Sequence, residues 1–245
     1  MVELSIRFYG DLNYFLPIAR QQVRFVHTLR EPASVKDVIE SLGVPHPEVA
    51  LILLDGKSIG FSHLVQQGDR LSVYPQFRAV DISAVSQVQP APLPDIRFVA
   101  DVHLGKLAMH LRLLGFDVLY ENNYDDDTLA TLAGDRRILL TQDRALLKRS
   151  VITHGYCVRS SDPVQQLDEI LRRFDLYGAI APFKRCLRCN GILKPVNKQD
   201  IRDRLEPLTR KYYDEFRMCQ QCEQIYWKGS HYERMQQFIS DVLPA

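Results

Sequence analysis

The 245-residue sequence predicts an α/β fold, preceded by a small mixed-sheet module and followed by a cysteine-stapled ribbon. Three observations carry that expectation. The N-terminal stretch reads strand, strand, helix, strand, strand. From Arg97 to Phe174, short apolar runs alternate with amphipathic helical patterns. Beyond them stand two Cys-x-x-Cys pairs, in the one part of the chain with a basic surplus.

Residues 2–9 alternate apolar and polar, as a half-buried strand does, and Val23 to Val26 repeats the pattern as the other arm of a hairpin. Val35, Val38, Ile39 and Leu42 fall at helical spacing, with Ser34 as N-cap and Gly43 as stop. Val49 to Leu54 is an apolar strand ending in the turn Asp55-Gly56, and Gln67-Gly68-Asp69 turns into the strand Arg70 to Tyr74. Residues 79–95, with Ser83, Ser86, Pro90, Pro92 and Pro94, read as a partly extended linker. Past it, Arg97–Ala100 is a strand ending at Asp101, and Leu104, Leu107, Ala108, Leu111 and Leu114 form a helix closed by Gly115. Asp117–Tyr120 is strand-like, and Asp125-Asp126-Asp127 opens a helix through Leu129 and Leu132. Arg137–Thr141 is a buried strand, followed by Asp143 and a helix through Leu146 and Leu147. Tyr156–Val158 is a fourth strand and Val164–Phe174 a last amphipathic helix. Alternation of this kind implies a parallel sheet with helices on its faces. The resulting partition is 1–78, a linker at 79–95, 96–180 and 181–245.

The overall charge of +1 points to no partner, but its distribution is uneven. Residues 1–95 hold 8 Lys+Arg against 10 Asp+Glu, residues 96–180 hold 11 against 12, and residues 181–245 hold 12 against 8. A basic end suits contact with a polyanion, and equally a solvated surface. No apolar run reaches membrane-span length, and the N-terminus has no signal-peptide pattern. A cytoplasmic, reducing setting is therefore expected, in which paired cysteines read as metal ligands rather than disulfides.

Asp101 and Asp143 each follow the carboxyl end of a predicted parallel strand, and Asp126 starts a helix after another. Sites in open α/β sheets form outside those strand ends. Carboxylates converging there repel one another unless a cation neutralises them, and an all-oxygen set suits Mg²⁺ or Mn²⁺. Such an ion implies hydrolysis of a nucleic-acid phosphodiester. Each acid also stands where a plain helix N-cap would.

Cys186/Cys189 and Cys219/Cys222 have the spacing of a closed tetrahedral Cys₄ zinc site, structural because it leaves no open position. The 29 residues between the pairs leave room for a helix near Ile201 to Arg204. Cys157, in a strand, reads as plain burial. Lys106, Arg112, Arg185, Arg188 and Lys228 are candidate phosphate contacts, and the nearby aromatics either stack on unpaired bases or form the ribbon's own core, with Tyr226 or Trp227 expected inside.

The N-terminal order, with Gly68-Asp69-x-Leu-x-Val-Tyr-Pro near its end, resembles the β-grasp, ubiquitin-like sulfur carriers of molybdopterin and thiamine synthesis. Those carriers end in a free Gly-Gly, whereas here Pro75 runs on into Gln76-Phe77-Arg78. The resemblance therefore implies a docking module for a protein partner rather than sulfur transfer.

The strings Phe98-Val99-Ala100-Asp101-Val102-His103-Leu104-Gly105-Lys106, Leu111-Arg112-Leu113-Leu114-Gly115-Phe116-Asp117 and Arg137-Ile138-Leu139-Leu140-Thr141-Gln142-Asp143, with the cysteine pairs and Tyr226-Trp227-Lys228-Gly229-Ser230-His231, resemble the PIN-like RNases of the Mut7-C family. That resemblance implies a PIN-like parallel sheet with a C-terminal zinc ribbon, often preceded by a ubiquitin-like segment. It further implies a metal-dependent ribonuclease, an endonuclease acting on tRNA or other structured or single-stranded RNA. Asp101, Asp126 and Asp143 then fill the acidic positions, with Asp125 and Asp127 as alternatives to Asp126. Residues 102–114 contain none of the early acid many PIN proteins carry, and Asp162 or Glu121 are candidates to replace it. The competing expectation is an inactive RNA-binding or adaptor protein.

Overall fold

The computed structural model describes residues 1–77, 80–134 and 136–242, so the expected boundary at residues 78 and 79 and the extreme C-terminus lie outside the described residues. Strand β1 (Val2–Phe8) pairs antiparallel with β2 (Phe25–Leu29). β2 starts two residues later than the pattern suggests. The reason is Asn13, buried within the first of two 3-10 turns, Gly10–Phe15 and Ile18–Arg20. Its Nδ2 donates to the Phe8 and Gly10 carbonyls, and its Oδ1 accepts the Gln22 amide at 2.7 Å, so the chain extends only after Gln22. Helix α1 (Val35–Ser41) begins as expected, with the Asp37 amide donating to Ser34 Oγ. β3 (Val49–Leu54) turns at Asp55-Gly56 into β4 (Lys57–Ser58), and β5 (Arg70–Pro75) follows. The sheet order is β2-β1-β5-β3-β4, with β1 and β5 parallel at its centre. This is the β-grasp arrangement. Leu4, Ile6, Phe8, Val38, Ile52, Leu71 and Val73 are buried in it.

The stretch read as a linker is not bare. Ile82 and Val88 are buried, and Ile82 packs on Ala50 and Leu51 of β3. Ser86 Oγ donates to the Ala50 carbonyl at 2.6 Å and Gln87 Nε2 to the Ser58 carbonyl. Two apolar residues among prolines and serines are enough to lay the segment against the sheet, a signal that composition alone hides.

From residue 95 the elements alternate. They are β6 (Arg97–Ala100), a 3-10 turn at Val102–Leu104, α2 (Gly105–Leu113), β7 (Asp117–Leu119), α3 (Asp126–Ala133), β8 (Ile138–Thr141), α4 (Arg144–Leu147), β9 (Gly155–Cys157) and α5 (Pro163–Arg173). β6 pairs parallel with β7, and β8 parallel with β9. The expected alternation of strands and helices is met, and these two strand pairs are parallel. The C-terminal part holds β10 (Leu193–Val196), α6 (Pro207–Tyr212), β11 (Phe216–Cys219), β12 (Ile225–Trp227) and α7 (Ser230–Val242). β10, β11 and β12 form a three-stranded antiparallel sheet. Where a helix was expected near Ile201–Arg204 there is one 3-10 turn, Arg202–Arg204, and the helix follows as α6. Pro207 at its first turn places the start. Among the described residues no helix is long and apolar enough to cross a membrane.

The chain divides into two compact units, Met1–Pro94 with Ala130–Cys157, and Asp95–Leu129 with Val158–Ala245. Within the first unit the β-grasp part and the β8–α4–β9 part are bound together by polar contacts. Buried Glu48 accepts the Cys157 amide at 2.7 Å. His46 sits between Glu40 Oε1 at 2.7 Å and the Ile152 carbonyl at 2.9 Å. Lys148 Nζ donates to the Glu40 carbonyl, and the Arg144 guanidinium lies 5.1 Å from the Phe15 ring centre. Cys157 is buried, as its strand position suggested.

Candidate functional site

The cysteine pairs sit in two like-built turns. In each, the amide four residues after the first cysteine donates to that cysteine's carbonyl, Asn190 to Cys186 and Glu223 to Cys219. Asn190 and Glu223 both adopt left-handed φ, of 70° and 56°. Asn tolerates that region well, Glu less so. Next to Asn190 only glycine fits, because a Cβ at Gly191 would lie 2.7 Å from Cys219 Sγ. The two turns thereby close on each other. Cys186 and Cys222 Sγ are 3.6 Å apart, Cys189 and Cys219 Sγ 3.4 Å, and all four sulfurs lie within 4.8 Å of one another.

Their surroundings do not act on the thiols alike. Burial opposes charge on Cys219, but the amides of Cys222 and Gln221 and the neighbouring thiols bring it down to about 7. Burial and the other three thiols push Cys189 up to about 12. Four thiols this close cannot all ionise without a cation between them. The Tyr226 hydroxyl accepts the Leu187 amide and stands 3.2 Å from Cys186 Sγ, where it can donate to a thiolate. Tyr226 is the half-buried member of the Tyr226/Trp227 pair, and Trp227 stays 38% exposed. A closed set of four soft donors fits zinc.

The cysteine quartet is tied to its neighbours in the second unit by residues whose role the sequence did not disclose. Asn190 Oδ1 accepts the Val118 amide and its Nδ2 donates to Asp117 Oδ1 at 2.8 Å, so the first turn is hydrogen-bonded to β7. Arg112, expected to meet phosphate, is 3% exposed. Its Nε donates to the Val118 carbonyl, one terminal nitrogen to Leu187 and Arg188, and the other to Tyr120. A guanidinium with every nitrogen committed to backbone carbonyls holds α2, β7 and the cysteine turn together, and is not a nucleic-acid contact. Burial also lowers its pKa, opposed by Cys189 and Cys186. Arg185 is likewise engaged, with the Gly115 and Asn190 carbonyls and with Asp117 at 3.3 Å. Lys106 and Arg188 are exposed, and Lys228 is exposed and paired with Glu215 at 2.6 Å.

The aspartates sit on separate elements. Asp101 ends β6 and is 7% exposed, and its side chain makes no capping bond to the turn that follows. In α3 the cap is Asp125, whose Oδ1 accepts the Thr128 amide at 2.8 Å, while Asp126 is the first helical residue and exposed. Asp143 caps α4, its Oδ1 accepting the Ala145 and Leu146 amides. Asp162 caps α5 in the same way, and Glu121 is exposed. Asp101 and Asp126 belong to the second unit and Asp143 to the first. Among the described residues the cysteine quartet is the one group of three or more His, Cys, Asp or Glu side chains with all ligand atoms within 4.8 Å.

Comparison with known proteins adds the following. Residues 96–239 match the family model described as the Mut7-C RNAse domain, and residues 1–81 the one described as Mut7-C ubiquitin. No curated protein matches the chain. Among solved structures, the crystal structure of H. volcanii small archaeal modifier protein 1 aligns at 15% identity and a TM-score of 0.26, over 31% of this chain and 100% of that one.

Proposed function

This chain belongs to the Mut7-C RNase family, and from that premise we propose that it is a metal-dependent ribonuclease, an endonuclease that hydrolyses RNA phosphodiester bonds. The observation that carries the reading is Asp101. It is a carboxylate at the carboxyl end of a parallel strand, largely out of water, and not engaged as a helix cap. Sites in open α/β sheets form at such strand ends. Asp126 and Asp143 complete the proposed set. Capping of α3 by Asp125 leaves Asp126 out of that role, and the α4 cap engages Asp143 through Oδ1. Hard oxygen donors of this kind suit Mg²⁺ or Mn²⁺. Bound there, such an ion would polarise the phosphodiester and lower the pKa of an attacking water. The carboxylates of Asp101, Asp126 and Asp143 would hold the ion.

Cys186, Cys189, Cys219 and Cys222 hold a structural zinc in this reading, and a reducing compartment, the cytoplasm, keeps them as ligands. Exposed Lys106 and Arg188 contribute to RNA binding. The β-grasp part, residues 1–78 in the proposed partition, offers a surface to a protein partner, with 79–95 joining it to a nuclease domain at 96–180 and a ribbon at 181–245.

The test is cleavage of RNA by the full chain in excess Mn²⁺. Asp101→Asn should lower the rate at least about a hundredfold, the scale of several kcal/mol of lost charge stabilisation. Undiminished cleavage removes the assignment. A second reading, an inactive RNA-binding or adaptor protein, is favoured by the absence of any acid in residues 102–114. Tight RNA binding with no cleavage under any divalent metal would establish it.

A further inference from the structure

One large cleft remains, of about 910 Å³, lined by residues of the second unit, most of them from α2, α6, β12 and α7. Its walls are aromatic. Tyr212, Tyr213, Trp227 and Tyr232 line it, with His110 and Met109 from α2. Tyr212 is 65% exposed and Trp227 38%, so these rings are not buried in a core. Tyr213 and Trp227 stand with centroids 6.5 Å apart and planes 50° apart, too open to stack on each other. Gly229 leaves room for the indole, since a Cβ there would come within 2.9 Å of Trp227 Nε1.

The charges around this cleft are equally specific. Nearby, Lys198, Arg204 and Lys228 are paired with Asp214, Glu223 and Glu215. Arg234 lines the cleft, Arg188, Arg210 and Lys211 each adjoin a lining residue in the chain, and none of the four is in an ion pair with a carboxylate among the described residues. Lys211 Nζ lies 5.2 Å from the Tyr212 ring centre. Residues 181–245 carry the chain's only cationic surplus, 12 Lys+Arg against 8 Asp+Glu. A purely apolar guest or an apolar helix would meet the rings and leave these cations unanswered. A flat aromatic guest strung on phosphates answers both.

We propose that this cleft binds an unpaired segment of RNA, with bases against Tyr212 and Trp227 and phosphates on Arg188, Arg210, Lys211 and Arg234. The proposal rests on the ribonuclease reading and narrows its substrate to RNA with single-stranded character. Paired bases hide their faces in the stack, so a blunt duplex offers nothing to these rings. The volume lies at the upper end for ligand sites and admits more than one base.

Trp227 is the only tryptophan in the chain, so its fluorescence reports on the cleft directly. The full chain, in chelator-free buffer without added divalent metal, is titrated with a single-stranded oligoribonucleotide, its blunt duplex, and an abasic strand of equal length. The single strand should quench Trp227 by at least about half, and the other two should leave it near its starting value. Tyr212→Ala should weaken single-strand binding about tenfold, and Tyr212→Phe should retain it. Tyr212 is exposed enough that its truncation removes no core. Equal quenching by duplex or abasic strand overturns the proposal, as does Tyr212→Ala binding at full strength. So does a concentration-dependent dimer whose fluorescence ignores RNA, which would mean the cleft is filled by a second copy. Cleavage without quenching refutes the cleft and keeps the ribonuclease. Quenching without cleavage in Mn²⁺ refutes the ribonuclease and keeps the cleft.

Discussion

The cysteine quartet and the aspartates are both sets of candidate ligands, and the chain builds them in opposite ways. The cysteines come as two short turns, each self-contained, with Asn190 and Glu223 taking the left-handed φ that closes them. The ligand atoms are within 4.8 Å before any ion is considered. Each aspartate instead hangs at the end of its own strand or the start of its own helix, and the set is distributed over two units. A ligand set made by local turns is stable information in the sequence. One made by strand ends depends on everything that aligns the strands. The first should therefore fail as a fold, and the second as an activity.

The largest effect should come from Cys219→Ser. Loss of one ligand forfeits much of the roughly 10 kcal/mol that structural zinc contributes to such ribbons. Bound zinc, measured by elemental analysis, should fall from one per chain to none, and the C-terminal part should lose cooperative melting. Wild-type zinc content in that variant would end the comparison. Arg112→Ala comes next, at about 3 kcal/mol of unfolding free energy, because four carbonyls, one buried and three partly buried, lose their donor. Arg112→Lys should not rescue it, since a single ammonium cannot reach α2, β7 and the cysteine turn at once. A variant with wild-type denaturant midpoint would mean the fork is not a strut.

A finer separation lies within α3. Asp125→Ala should cost about 1 kcal/mol as a lost N-cap while cleavage persists, and Asp126→Asn should do the reverse. If Asp125→Ala also abolishes cleavage at full stability, Asp125 is the ligand and the residues exchange roles. The smallest effect concerns His46. Burial lowers its pKa below the ordinary 6.5, an effect that Lys36 adds to and Glu40 and the Ile152 carbonyl oppose. The native state thus prefers the neutral ring, so its contribution is complete above pH 6.5 and is lost as pH falls below that value. The melting temperature should decline below that pH, and less steeply in His46→Gln. An unchanged slope would show that His46 is not what acid disturbs.

Much of this molecule was legible beforehand. Ser34 caps α1, the 55–56 turn joins β3 to β4, and the cysteine spacing delivered a compact quartet, because each is decided within a few residues. The losses were long-range. Arg112 looked like one more basic residue on a helix until its four carbonyls, drawn from two distant segments, came into view. Ile82 and Val88 passed as linker because the sheet that buries them lies elsewhere in the chain. The helix α7 left no expectation, and the aromatics beside it read only as stacking faces or as the ribbon's own core, since amphipathic character does not say which surface will receive it.

By itself, then, the sequence determined most strands and helices before residue 180, the Ser34 cap, the order of the parts and the four sulfurs, because local sterics and spacing act over a turn or two. Only the tertiary structure decided which arginine is a strut and which faces water, which aspartate caps α3, and where an open aromatic surface remains. Those outcomes depend on partners brought together by burial of surfaces far apart in the chain, and burial favours contact without specifying it.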